Sequence, residues 1–264
     1  MEFLRLNGIL THYEDSGASD RPALVFANSL GTDFRIWDAV LKRLGSRFRT
    51  LCYDLRGHGL SDLGRPPYRI EDHVADLIAL LDARGIRGAV ICGLSVGGMI
   101  AMGSAAARPD LLRGLILSDT AHRIGTAEIW NGRIAAIAEN GLGSIGDAIM
   151  ERWFTADYRR RSADAVALWR NMLVRTPANG YTGTCAAIRD ADLTSAARGI
   201  RVPTLCLCGD QDAATPPELV RSLAALIPGA RFRTIDQGGH LPGIEQPDVV
   251  SGLISAFCEE TDSA

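Results

Sequence analysis

The chain has 264 residues, 47% of them hydrophobic, which is enough apolar material for one sizeable core. A formal net charge of −3 gives no electrostatic reason to expect nucleic acid or an anionic membrane as partner, and it is compatible with self-association into a homo-oligomer. No apolar run approaches a membrane span, and the start Met1-Glu2-Phe3-Leu4-Arg5-Leu6 lacks the pattern of a signal peptide. Four of the six cysteines (Cys52, Cys92, Cys206, Cys208) lie in apolar strand-like runs, and Cys206-Leu-Cys208 lacks metal-ligand spacing. Reduced thiols in a cytoplasmic protein are the expectation.

Residues 2–6 and 9–14 read as two strands joined by Asn7-Gly8, a hairpin turn signal. Ala23–Ala27 is a continuous apolar run of the kind buried on both faces of a sheet. A loop, Asn28 to Asp33, leads to a helix with Trp37, Val40, Leu41 and Leu44 at helical spacing. Phe48–Tyr53 is another strand, followed by the turn-rich Asp54-Leu-Arg-Gly-His-Gly-Leu-Ser-Asp62. A helix over 71–84 follows. Next come a strand at 89–93, a helix that ends near Arg108-Pro109, and a buried strand at 112–117.

The rhythm breaks after Asp119. From 122 to 197 no apolar strand run appears, and three of the four tryptophans fall there. The stretch reads as helices separated at 141–143, 155–157 and 177–180. Alternation resumes with a strand at 203–208, a helix at 217–226, a strand at 231–235 and a helix at 249–258. Strands alternating with helices predict a mostly parallel sheet covered on both faces. Residues 1–121 and 198–264 would form the α/β core, and 122–197 a helical insertion.

Within the third strand–helix junction lies Gly93-Leu-Ser95-Val-Gly97. A tight turn there lifts a serine clear of the sheet, at a helix start whose free N–H groups favour developing negative charge. A serine hydroxyl needs a base, and a histidine held by a carboxylate is the common one. In a parallel sheet these groups belong at the carboxyl ends of strands. His240, in Gly238-Gly-His-Leu-Pro242 after the last strand, fits best of the five histidines. Asp210 and Asp212 compete for the carboxylate after the penultimate strand. Asp212 is favoured as lying further out, toward His240, and Asp236 is a weaker third. The backbone N–H groups of Val96 and Leu30 are the expected donors to an oxyanion, with Asn28 as loop support.

With these residues the chain resembles α/β-hydrolases over nearly its full length, and more narrowly the bacterial 3-oxoadipate enol-lactonases of aromatic breakdown. The resemblance rests on Phe26-Ala-Asn-Ser-Leu-Gly-Thr-Asp33, Tyr53–Asp62, Gly93–Gly98 and Ile124-Gly-Thr-Ala-Glu-Ile-Trp-Asn131. It rests also on Arg152-Trp-Phe-Thr155, Cys185-Ala-Ala-Ile-Arg-Asp190, Gly209-Asp-Gln-Asp-Ala-Ala-Thr-Pro-Pro217 and Gly239-His-Leu-Pro242. Many members of the superfamily carry His-Gly where this chain has Asn28-Ser29, a departure that the lactonases share.

The resemblance implies an α/β-hydrolase fold of about eight strands, a Ser95–Asp212–His240 triad and a cap formed by residues 122–197. It implies hydrolysis of an enol-lactone to 3-oxoadipate with no metal or organic cofactor. Such a substrate carries a free carboxylate, which a cap arginine suits. Arg133 is the first choice, with Arg123, Arg152 and Arg189 as others, and Trp130 is expected in the pocket wall. Alternatives are a carboxylesterase or carbon–carbon bond hydrolase on the same triad, or a non-catalytic ligand-binding protein of this fold.

Overall fold

The computed structural model describes residues 1–17 and 20–262. Strands β1 (Glu2–Leu6) and β2 (Ile9–Asp15) form the expected hairpin. Asn7 and Gly8 both take left-handed φ (48° and 83°), the geometry whose twist matches paired strands. β3 (Ala23–Ala27), β4 (Arg49–Tyr53), β5 (Ala89–Leu94), β6 (Leu112–Ser118), β7 (Thr204–Gly209) and β8 (Arg231–Ile235) complete one sheet. Its order is β1-β2-β4-β3-β5-β6-β7-β8. β1 and β2 pair antiparallel, β2 joins β4 antiparallel, and every other pairing is parallel.

Burial follows position in the sheet. β3, β5 and β7 are buried at every residue, whereas the edge strands β1 and β8 expose alternate or most positions. The central strands carry apolar side chains on both faces because helices cover both. α1 (Asp38–Leu44) packs with α12 (Pro247–Asp262), and α2 (Ile70–Ala83) packs with α3 (Val96–Ala107). α1 is entered through a 3-10 turn at Phe34–Trp37, whose Asp33 carboxylate accepts from Arg35 N and caps it.

Between β6 and β7 lie α4 (Ala127–Asn140), α5 (Gly146–Trp153), α6 (Ala156–Arg161), α7 (Ala163–Val174), α8 (Ala178–Asp190) and α9 (Thr194–Gly199). Three of the helix breaks fall at Gly141-Leu-Gly143, Thr155-Ala-Asp157 and Pro177–Gly180 as expected, and two more, at Ser162 and at 191–193, were not foreseen. Thr126 and Thr155 cap α4 and α6 through their hydroxyls. α10 (Pro217–Leu226) follows β7, and a single turn, α11 (Pro242–Glu245), precedes α12. The sequence reading did not include α11, and α12 is longer at both ends than 249–258. All six cysteines are free and buried. Among the described residues no helix is long and apolar enough to cross a membrane.

Candidate active site

β3 and β5 are direct neighbours, with Ala27 opposite Gly93, so the loops leaving their carboxyl ends sit side by side. On the β5 side Ser95 takes φ 58° and ψ −118°, a left-handed strain that a non-glycine residue keeps only where its surroundings impose it. Its N–H donates to Ser118 O at 3.0 Å, and its carbonyl accepts from Thr120 Oγ1 at 2.6 Å and Gly98 N at 2.9 Å. The glycines permit this crossing. A Cβ on Gly97 would lie 2.2 Å from Ala27 O and 2.8 Å from Asn28 O, and one on Gly93 would lie 2.3 Å from Gly97 O.

On the β3 side Asn28 is a strut. Its amide donates to Tyr53 O and accepts from Trp37 Nε1, each at 2.8 Å. Gly31 turns the loop at φ 77°, directly beneath Leu173 and Tyr181. Leu30 and Val96 are buried, and among the described residues neither backbone N–H finds a protein acceptor. Val96 opens α3, where no intrahelical acceptor exists. Unpaired donors are rare in a folded interior, and N–H groups of this kind are able to receive an anionic oxygen.

The structure brings His240 and Asp212 together. Asp212 Oδ2 lies 2.9 Å from His240 Nδ1, both nearly buried. Thr215 Oγ1 donates to Asp212 Oδ2 at 2.6 Å, and Ala214 N and Thr215 N donate to Oδ1 at 2.7 and 3.1 Å. Burial opposes the Asp212 charge, but the imidazole and these donors outweigh it and hold the carboxyl below the usual range. With Nδ1 engaged, Nε2 is the ring nitrogen left to act as a base. Among the described residues no hydrogen bond joins Ser95 Oγ to the ring. Such contacts commonly tighten only once substrate binds. Asp210 and Asp236 are exposed, and Asp210 Oδ1 accepts only from Gly238 N at 3.2 Å.

The His240 loop is seamed to the helical segment. Trp153 O accepts from His240 N at 2.9 Å and Leu241 N at 3.3 Å. The Glu245 carboxylate bridges Thr155 N at 2.8 Å and Gly239 N at 3.1 Å. Trp130 is buried and donates its indole N–H to Ile124 O, while Arg133 stacks over its ring at 4.8 Å and reaches Tyr181 OH at 3.4 Å. Arg152 makes no ion pair or hydrogen bond among the described residues. Desolvation and then the Arg133 charge lower its pKa, while Asp212 raises it. Arg123 and Arg189, the other candidates, already pair with Asp192 and Asp190.

Atoms of Asp119, Cys208 and Asp212 lie within 4.8 Å of one another. This donor set fits a resident metal poorly. Both Asp212 oxygens are engaged by N–H and O–H donors, and burial keeps the Cys208 thiol protonated. Asp119, Thr215 and Glu245 escaped the sequence reading. Thr215, three residues after Asp212 as an acid-and-hydroxyl turn, was the one with a local signal.

The alpha/beta hydrolase family model matches residues 24–253. A curated relative, 3-oxoadipate enol-lactonase 2 of Acinetobacter baylyi, is 32% identical over 96% of this chain and 94% of its own. The crystal structure of the enol-lactonase from Burkholderia xenovorans LB400 superposes with a TM-score of 0.93 at 38% identity, covering 97% of this chain and 99% of that one. A thermophilic esterase from Thermogutta terrifontis, solved with malate bound, gives 0.91 at 29% identity over 99% of both chains. The chain belongs to the alpha/beta hydrolase family and is a hydrolase of ester or lactone bonds.

Proposed function

We propose that the protein opens the ring of 3-oxoadipate enol-lactone, with Ser95 as nucleophile, His240 as base and Asp212 as its partner. The observation that carries this is the Asp212–His240 hydrogen bond at the same sheet edge as the strained Ser95 turn. Nε2 takes the Ser95 proton as Oγ attacks the lactone carbonyl, and Asp212 stabilises the imidazolium that forms. The tetrahedral oxyanion rests on the Leu30 and Val96 N–H groups. Collapse expels an enol oxygen, a better leaving group than an alkoxide, which takes its proton from His240 and later becomes the ketone. Water activated by His240 then releases the acyl group.

Residues 122–197 serve as the cap in this reading. Among the described residues Arg133 and Arg152 pair with no carboxylate, and they would take that of the substrate, with Trp130 backing Arg133. The similarity to enol-lactonases supports the substrate, and the six free cysteines fit a cytoplasmic location. The test follows loss of enol-lactone absorbance with purified protein beside Ser95→Ala. Fast loss that the substitution abolishes is expected. Background-level loss with aryl esters still cleaved would overturn the lactone assignment, and turnover unchanged by Ser95→Ala would overturn the mechanism.

A further inference from the structure

Asp119 directly follows β6, at left-handed φ 48°, and is completely buried. Its Oδ1 accepts from Gly209 N at 2.8 Å, its Oδ2 accepts from Ser118 Oγ at 2.6 Å, and its own N–H donates to Leu207 O at 2.8 Å. Among the described residues it has no ion pair. The titratable groups around it are Cys92, Cys208 and Asp212. One of its oxygens lies within 4.8 Å of an Asp212 oxygen.

Two carboxylates this close in a dry interior do not both ionise, because like charges there are poorly screened. The environment decides which one keeps the proton. Asp212 has an imidazole and three hydrogen-bond donors, whereas Asp119 has two neutral donors. Burial, then the nearby Asp212 charge, push the Asp119 carboxyl well above the usual range.

We propose that Asp119 is a positioning residue for the hydrolysis: a neutral acid that donates a hydrogen bond to Asp212 while anchoring the start of the Asp212 loop through Gly209 N. The negative charge thereby stays on Asp212, and the carboxylate stays aimed at Nδ1. This role rests on the assignment of Asp212 and His240 made above. It gives the left-handed backbone at Asp119 a purpose, since the strain is held where it sets catalytic geometry.

Infrared difference spectra at neutral pH, wild type minus Asp119→Asn, test the proton directly, alongside kcat and KM for Asp119→Asn and Asp119→Ala. A carboxylic-acid C=O band that Asp119→Asn removes is expected. Asn keeps an acceptor for Gly209 N and a donor for Asp212, so kcat should stay within about threefold. Ala removes both, and a misaimed base should lower kcat by about 10² at near-constant KM. Absence of the acid band overturns the proposal. So does an Asn variant as slow as Ala, or an Ala variant as fast as wild type. If Ala fails to fold, the band and the Asn kinetics still decide. The band does not depend on turnover, so it stays informative even if Ser95→Ala were to refute the mechanism.

Discussion

A single residue separates Asp210 from Asp212, yet the first is solvated and caps a turn while the second is buried among donors and an imidazole. Asp212→Asn should leave the fold intact and reduce kcat by about 10⁴, because the amide selects the wrong imidazole tautomer. Asp210→Asn should change kcat by less than about threefold. Steady-state kinetics on the two variants separates the roles, and equal losses would reopen the choice of acid. Gly97→Ala probes the elbow. Its Cβ would meet backbone oxygens of Ala27 and Asn28, which cannot rotate away. A loss of about 2–3 kcal/mol in urea unfolding is expected, with activity lost as well. Ser95, Asp212 and His240 stood out as candidates because strand ends and glycines mark their places in the chain, and the structure brings the latter two together. Asp119 did not, since its partners come from β7 and the loop after it, and no local pattern in Ser118-Asp119 announces that meeting.

At the scale of elements, the helices between β6 and β7 are where the proposed function places specificity. Arg133 on α4 and Arg152 on α5 are like charges close enough to act on each other, and among the described residues neither forms an ion pair. Arg133→Gln or Arg152→Gln should raise KM for a carboxylate-bearing enol-lactone about tenfold, the worth of a charge-assisted hydrogen bond. KM for a neutral aryl ester should barely move. Equal effects on both substrates would mean that the arginines hold the helices rather than the ligand. Three of the helix breaks here were readable from glycine, proline and threonine. Arg133 and Arg152 were among four candidate arginines, and only packing shows that the other two, Arg123 and Arg189, are taken by aspartates. The single turn α11 was likewise hidden, being too short for any periodicity to register.

For the whole molecule, apolar runs and their alternation with helices were enough to foresee a mostly parallel sheet. The order β4-β3-β5 was not written in any one segment; it depends on which crossover each connection takes. Nor did the sequence show that His58 and His73 are sealed inside. Burial depresses His58 to about 4 and pushes His73 well below its usual range. Between pH 6.5 and 4 the unfolded chain therefore binds protons that the native state refuses, so stability falls as the pH falls through that window. His58 alone accounts for about 3 kcal/mol. Urea unfolding from pH 7 to pH 4 should show this decline, and a flat profile would mean that the buried imidazoles are charged. Below about pH 4 a second loss begins. Asp15, paired with Arg49 and Arg84, is held down to about 2 and gives up its contribution between those values.

The seam at Trp153, Thr155 and Glu245 has a kinetic consequence. The backbone of His240 hangs from the same carbonyl that ends α5, so this end of the helical segment cannot lift away without carrying the base with it. If the proposed cap opens to admit substrate, it either hinges elsewhere or has an open form in which His240, the proposed base, is displaced. Amide hydrogen exchange reads the difference. Thr155, Gly239 and His240 should exchange as one unit, slower than the exposed helix faces. Opening at the seam would then act as a clutch, disengaging proton transfer whenever the site is open to water.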